Sequence, residues 1–590
     1  MPVTRPVALG GDGLPSAVAP PVRKGGPGRA VLGRLRALVT FQRVVISTTI
    51  LLVGYLALVP IGYLIWQTFI VGGRVSTRNF GDAYSAFEIG TLVRNSFVYA
   101  IGSTIVSLAV GTVFAYLVVR TDIRLKGLIF AGSLVPVVIP NILQTIAWIY
   151  LLSPRTGIYN KALEPILGEG FFDVFSMAGM IFVEGISLAP LCFLLLFAAF
   201  RSMDPSLEES AIMSGGSRVQ TFRKVTLPLV RPSLFAAALI MMVRALEAFE
   251  TPALLGMPQR IYVFTSLIWN VLRDYPPSYG QAGAYSISLL LITTAGVVAQ
   301  SRLSAKGRKY QTVTGKGFRP HPIELGRARL PLTLVTLGYF LATIVIPALM
   351  LVFVSFQPYY SGVDGESFSR MTLRSYRAVL TDPEVLGATR NTAILALTTA
   401  TTVMFTMAIV SWFVVRSRVR GRAVLDVLTF LPITVPGIVL GVALLVVYLR
   451  VPIPIYGSMW ILLIAYFTRF MPYGIRYAST SAVQIGSELE ESAYSSGASW
   501  WQTFRRVDLP LLMPGLLAGW IYIVMVSTRE LSSSLLLYSP GDEVLSVLIW
   551  QRWEGGQFTE LSAIGVLMIV VLGLFVTVAQ KLGSRIGIRG

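Results

Sequence analysis

Cysteine and histidine are almost missing from this chain: Cys192 and His321 stand alone among 590 residues. One cysteine excludes an internal disulfide framework. Together with one histidine, it leaves no His/Cys/Asp/Glu spacing fit for a metal cage or a hydrolytic triad, so no metal site and no catalytic residue are expected. Cys192 lies in an apolar run and reads as an inert thiol. A phosphate-cradling Gly-x4-Gly-Lys-Ser/Thr is also absent; the single Gly-Lys step, Gly315-Lys316, is followed by Gly317 and lacks the upstream glycine. The chain therefore holds no ATP and no other cofactor of its own. Met213-Ser214-Gly215-Gly216-Ser217 resembles an ATP-cassette signature loop only by coincidence, because its repeat partner Ser495-Ser496-Gly497-Ala498 does not.

Charge is scarce too. Charged residues make up 13% of positions, against about 25% in soluble proteins, while 54% are hydrophobic and the mean hydropathy is +0.69. This is the composition of a polytopic membrane protein. Acids are the scarcer sign, 29 against 49 Lys and Arg, for a net charge of +20. The basic residues are dispersed among short loops without stacking aromatics, which argues against nucleic acid. With the Glu-rich segments at 207–211 and 489–493 both on the cytoplasmic side, about thirty basic residues fall inside against about ten outside, the bias that orients membrane helices.

What is present is a duplication. Leu207-Glu208-Glu209-Ser210-Ala211, Gly215, Gln220-Thr221-Phe222-Arg223-Lys224-Val225 and Leu227-Pro228-Leu229 return as Leu489-Glu490-Glu491-Ser492-Ala493, Gly497, Gln502-Thr503-Phe504-Arg505-Arg506-Val507 and Leu509-Pro510-Leu511, each pair 282 positions apart. Upstream, Arg94-Asn95-Ser96 answers Arg390-Asn391-Thr392, Val118-Val119-Arg120 answers Val414-Val415-Arg416, and Pro136 and Pro140 answer Pro432 and Pro436, 296 apart. The first half thus carries fourteen extra residues, expected in the outer loop around residues 154–175.

Apolar runs of about 20 residues, the length that spans a bilayer, occur near residues 44–69, 92–119, 128–152, 176–200, 233–256 and 280–300. They resume near 331–356, 389–415, 424–449, 457–479, 515–537 and 560–580. The expected fold is an all-α membrane protein of twelve transmembrane helices in two parallel six-helix repeats, related by a pseudo-two-fold axis along the membrane normal. Residues 1–43 read as a basic disordered cytoplasmic tail, 44–300 as the first half, 301–330 as a basic cytoplasmic linker, 331–580 as the second half and 581–590 as a cytoplasmic tail. A cleaved signal peptide is not expected.

Each repeated island reads as helix, glycine elbow, helix. Asp204-Pro205 starts the first, Ser487 with Glu490 forms a capping box in the second, and Gly215 and Gly497 supply a left-handed turn. Ser217 and Ser499 cap a second arm carrying Val219, Phe222, Val225 and Trp501, Phe504, Val507, which Pro228 and Pro510 stop. With exposed acid on one arm and apolar residues on the other, each island is shaped to dock into a groove on another protein; the simpler reading is an amphipathic loop on lipid.

These residues resemble the EAA loop of permease subunits of binding-protein-dependent ABC importers, of the MetI-like type I family. Both copies depart from it in having Ser210 and Ser492 where the first alanine is usual. The resemblance implies ATPase-coupling loops at Glu208, Glu209, Ala211, Gly215, Phe222, Leu227 and Pro228, and at Glu490, Glu491, Ala493, Gly497, Phe504, Leu509 and Pro510. It also implies two ATP-binding subunits, holding ATP and Mg, on the cytoplasmic side of a bacterial inner membrane, and a periplasmic solute-binding protein outside. The fused layout is similar to ferric-iron, thiamine and aminoethylphosphonate importers. The segments around residues 247–256 and 530–537 look most like the ferric-iron group, with polyamine a further alternative.

Charges inside the bilayer are the remaining signal. Arg244, Glu247 and Glu250 are spaced by three in the fifth span, Arg529 matches Glu247, and Glu530 lies beside it; Glu184 and Arg469 occupy the fourth and tenth spans. A lone mid-bilayer charge costs about 2.5–3.5 kcal/mol, so these should face protein or water. They form either a polar translocation pathway or structural ion pairs such as Glu247 with Arg529. Asn141 and Gln144 read as interhelical hydrogen bonds. A gradient-driven secondary transporter would account for the spans and the acids, but not for two docking elbows.

Overall fold

The structure, a computed structural model, describes residues 41–86, 88–204, 206–307, 322–417, 421–451 and 453–585. Most of the expected N-terminal tail, the middle of the linker with Gly315, Lys316 and His321, the helix-start Pro205 and residues 586–590 lie outside the described residues. Contacts divide the chain into residues 1–50 and residues 51–590. Only the opening turns of helix Phe41–Phe69 are described in the first unit. The membrane architecture belongs to the second.

In hydrocarbon a segment must satisfy its own backbone N–H and C=O groups, and a long apolar run does so as a helix. Among the described residues nine helices are long and apolar enough to cross a membrane. The first half has Val44–Phe69, Ile89–Arg120, Met177–Arg201, Val219–Glu247 and Tyr279–Leu303; the second has Gly326–Ser355, Pro383–Val415, Trp500–Thr528 and Phe558–Ala579. The tenth expected span is the 26-residue helix Met459–Gln484, which carries Arg469 and Arg476.

The remaining two segments, 128–152 and 424–449, are not straight. They are bent pairs, Lys126–Val138 with Asn141–Leu152 at 103° and Arg422–Thr434 with Gly437–Tyr448 at 106°. Pro140 and Pro436 stand at the two bends, and each forces the residue before it out of the helical region: Ile139 has ψ 128° and Val435 ψ 112°.

The fifth and eleventh segments also break. Helix Leu227–Glu247 ends where Ala248 becomes extended, ψ 133°, and helix Leu509–Thr528 stops at Arg529. Glu250 therefore does not continue the helical face of Arg244 and Glu247. Irregular backbone at membrane depth is tolerated where it lines a cavity. Beyond each break lies a ten-residue helix, Phe264–Arg273 and Leu545–Glu554, before the chain turns back along Tyr279–Gly307 and Phe558–Arg585.

The first helix of each half also reaches the other half. Tyr55 of the first half hydrogen-bonds through its hydroxyl to that of Tyr448, at 2.8 Å. Phe340 of the second half stacks on Phe114 at 5.2 Å inside a first-half core that includes Phe193 and buried Cys192. Within each half the second and fourth spans pack tightly enough to need glycine. A Cβ on Gly111 would come 2.8 Å from the Cys192 Sγ, and one on Gly474 would come 2.7 Å from Val403 Cγ1.

The fourteen extra residues of the first half lie where expected. Twenty-four residues separate helices Asn141–Leu152 and Met177–Arg201, against ten between Gly437–Tyr448 and Met459–Gln484. The longer connection holds helix Ile158–Leu167, pinned by Asn160, which donates to Phe172 O at 2.7 Å and accepts from its N–H at 2.8 Å.

Candidate functional site

Both islands fold as helix, left-handed glycine and helix. Helix Ser206–Met213 leads to Gly215 at φ +86°, and Ser487–Ser495 to Gly497 at φ +82°. Ser217 accepts from Gln220 N–H and Gln220 Oε1 from Ser217 N–H, at 3.3 and 3.0 Å; Ser499 and Gln502 repeat this box at 3.4 and 2.8 Å. Asp204 accepts from Ser206 N–H at 2.9 Å, as a helix-start acid should. The box expected between Ser487 and Glu490 does not form, because Gly486 occupies the cap position and Glu490 is engaged elsewhere.

Pro228 and Pro510 do not stop the second arm. A π-turn, Phe222–Thr226 in one island and Phe504–Asp508 in the other, takes up the proline ring, and the chain continues into helices Leu227–Glu247 and Leu509–Thr528. Each arm is thus one rigid piece with a membrane helix.

The acids divide into two roles. Glu208 and Glu490 are buried; Glu209 is half-buried and Glu491 exposed. Arg120 Nη2 lies 3.3 Å from Glu208 Oε2, and Arg416 Nε lies 3.2 Å from Glu490 Oε1. Burial pushes the Glu490 carboxyl above its ordinary range while Arg416 pulls the other way. The apolar residues also depart from expectation. Phe504 is buried against Trp500 and Trp501, and Phe222 packs edge-on against Tyr116 at 5.0 Å. Of the expected apolar residues Val219 is exposed, and the outward apolar face otherwise consists of Leu207, Ile212 and Met213 on the first elbow and Leu489 and Tyr494 on the second. Ala211 and Ala493 are half-buried, as are Leu227 and Leu509; Pro228 and Pro510 are exposed.

The described end of the linker is tied beside the first elbow. Ile323 N–H donates to Arg120 O at 2.8 Å, Leu325 N–H donates to Asp122 Oδ1 at 2.8 Å, and Arg329 pairs with Asp122 at 3.5 Å.

The seven charges singled out in the sequence line one cavity of about 270 Å³: Glu184, Arg244, Glu247 and Glu250 from the first half, and Arg469, Arg529 and Glu530 from the second. The suggested Glu247–Arg529 pair is not made. Arg244 pairs with Glu247 at 3.5 Å and Arg469 with Glu530 at 2.8 Å, each within its own half. What crosses between halves is hydrogen bonding. Arg244 donates to the Tyr473 hydroxyl, and Arg529 Nη1 to Val137 O at 2.5 Å. Glu184 accepts from Thr251 at 2.8 Å. Asn141 lines the cavity; Gln144 accepts from Ser187 across helices at 3.3 Å. Among the described residues no group of three His, Cys, Asp or Glu side chains could hold a metal ion. The wall mixes both signs, suited to passing a polar solute rather than caging a cation.

Sequence reasoning missed Arg120 and Arg416 as braces, although their register 296 apart was visible. Tyr473 and Tyr522, which also line the cavity, have Leu191 and Ile240 at the matched positions, so the repeat carried no sign of them.

Residues 107–308 and 404–585 match the family of binding-protein-dependent transport system inner membrane components, one match for each half and each containing an elbow. The chain belongs to this family. It is a fused ABC-importer permease of the inner membrane, similar to the ferric transport system permease protein FbpB of Actinobacillus pleuropneumoniae, 27% identical over 84% of this chain and 71% of that one. An Fe(3+)-transport system permease protein, FbpB 2 of Haemophilus influenzae, is 24% identical over 91% of this chain and 98% of its own. The putative 2-aminoethylphosphonate permease PhnV of Salmonella typhimurium is 28% identical over 29% of this chain and 64% of its own. ATP hydrolysis is not the work of this permease, a membrane component of its transport system.

Proposed function

We propose that this permease carries ferric iron, delivered by a periplasmic binding protein, into the cytoplasm by alternating access. The observation that carries the reading is the convergence of seven charged residues from both halves on one intramembrane cavity. Two separate ATP-binding subunits, holding ATP and Mg, grip the outward faces of the elbows at Gly215 and Gly497 on the cytoplasmic side, where both termini also lie. Their closure on ATP moves the rigid arms and rocks the halves; hydrolysis resets them. Coupling requires the two conformers to bind these partners with different affinities.

Iron is supported by the names of the two long relatives and by the hard carboxylate oxygens of Glu184, Glu247, Glu250 and Glu530. Arg529 supports an anionic solute such as an aminoethylphosphonate, and thiamine and polyamine stand as further alternatives. The ion-gradient reading loses its ground with family membership. The test is to identify which solute the cognate periplasmic protein binds and to follow uptake of that solute in proteoliposomes. Saturable ATP-dependent uptake of ferric iron supports the proposal, and uptake of another solute with iron excluded overturns the cargo.

A further inference from the structure

The ten-residue helices beyond the two breaks meet each other. Trp269 of Phe264–Arg273 and Trp550 of Leu545–Glu554 pack edge to face at 6.1 Å, and Arg273 forms an ion pair with Glu554. The two helices align at an offset of 281, with Val263 and Val544 as N-caps and Leu267-Ile268-Trp269 matching Leu548-Ile549-Trp550, the second half being one residue shorter between the break and the short helix; at that offset each residue meets its own repeat equivalent. Equivalent residues touch only on the axis that relates them, so this contact sits on the pseudo-two-fold axis. The charge cavity lies on the same axis, since it is lined by the equivalents Glu247 and Arg529 and by Ala248 and Glu530.

Cavity and contact are mechanically joined. Ala248 and Glu250 line the cavity, while Phe249 between them turns away and packs on Trp550 at 5.5 Å. Thr265 donates to Ala248 O at 2.7 Å, and its equivalent Ser546 donates to Glu530 O at 2.7 Å. Each short helix thus grips the cavity wall of its own half at the same place. Arg552 holds Leu545–Glu554 to the second half through Asp382 and Glu384, at 2.7 and 2.8 Å. The chain arrives from the elbow along Leu227–Glu247 and leaves along Tyr279–Gly307, so the contact closes the end of the cavity remote from the elbows.

We propose that helices Phe264–Arg273 and Leu545–Glu554 form a releasable clasp that seals the outer end of the cavity, with Thr265 and Ser546 as positioning residues that carry its opening to the cavity wall. The inference rests on the proposed transport function. Its parts suit a catch that must let go. The Arg273–Glu554 pair is partly exposed and so only weakly held in water. The indole N–H groups of Trp269 and Trp550 have no hydrogen-bond partner among the described residues and regain water when the clasp opens.

The test is labelling of the cavity from outside. In a Cys192→Ala background, Ser532→Cys places a thiol on the cavity wall, and a membrane-impermeant maleimide is added to the periplasmic face of the full-length permease. Arg273→Glu should raise the labelling rate several-fold, Trp550→Ala should do the same without altering charge, and Arg273→Glu with Glu554→Arg should return it toward the starting rate. Thr265→Val with Ser546→Ala should loosen the wall, so that labelling no longer follows the state of the clasp. Labelling unchanged in both Arg273→Glu and Trp550→Ala overturns the clasp. This readout needs no ATP-binding partner; failure of ATP-driven uptake by the unaltered permease would sink the transport reading separately.

Discussion

Arg120 Nη2 and Glu208 Oε2 lie 3.3 Å apart, with each side chain about 95% buried and Thr226 supplying a further hydrogen bond to the carboxylate. The pair joins the end of helix Ile89–Arg120 to the first elbow. It fixes how the elbow leaves the membrane domain. Removing one partner of such a pair strands a buried charge, at a cost of about 3–5 kcal/mol, whereas neutralising both costs far less. Arg120→Gln should therefore lower thermal stability in detergent sharply. Adding Glu208→Gln should recover much of the loss, as a double-mutant cycle by thermal unfolding would show.

The second elbow uses the same pair with one change. Asp508 stands where Thr226 stands, setting a second buried carboxyl against a Glu490 that is already buried where the first elbow has a hydroxyl donor. Asp508→Thr should restore the hydroxyl donor of the first elbow and raise stability by about 1 kcal/mol. Thr226→Asp should do the reverse. Opposite shifts in melting temperature check this, and equal shifts would deny the equivalence of the two sites.

Gly215 and Gly497 turn the elbows at positive φ, and a Cβ on either would meet nothing within 4 Å. Any harm from Gly215→Ala or Gly497→Ala must come from backbone strain, about 1–2 kcal/mol each. The expected result is a chain that inserts and purifies normally but couples ATP hydrolysis poorly. Asparagine at the same positions should be milder, and the series is read by hydrolysis in the reconstituted complex.

Arg469 and Arg529 separate bracing from passage. Arg469 is paired with Glu530 at 2.8 Å, so Arg469→Gln should unbalance a buried carboxylate and reduce stability. Arg529 bonds a backbone carbonyl and makes no ion pair within 4 Å among the described residues, so Arg529→Gln should leave the melting temperature nearly intact. Its loss should cut uptake by about tenfold, equivalent to roughly 1.4 kcal/mol. Parallel melting and uptake measurements distinguish the two.

The repeat made the span order, the elbows and the charge set legible, because duplication turns weak local signals into paired ones. Pro140 and Pro436 were visible in register, yet the bends they make depend on where each chain packs. The inward turn of Phe504 and the burial of Glu208 and Glu490 were hidden for a similar reason. An island that is polar in sequence still has one side against its own membrane domain, and periodicity over eight residues does not say which. The clasp was invisible because Trp269 and Trp550 lie on helices too short to register as spans, and only contact across the halves gives them meaning.

The proposed transport cycle depends on a separate ATP-hydrolysing subunit gripping the two elbows. Solute-stimulated ATP hydrolysis by the reconstituted complex carrying Glu209→Lys and Glu491→Lys tests that grip without disturbing the fold. These two acids lie outside the buried pairs, so insertion should be unchanged. Loss of stimulated hydrolysis with normal insertion is the predicted result; stimulation undiminished in the double variant would contradict the account.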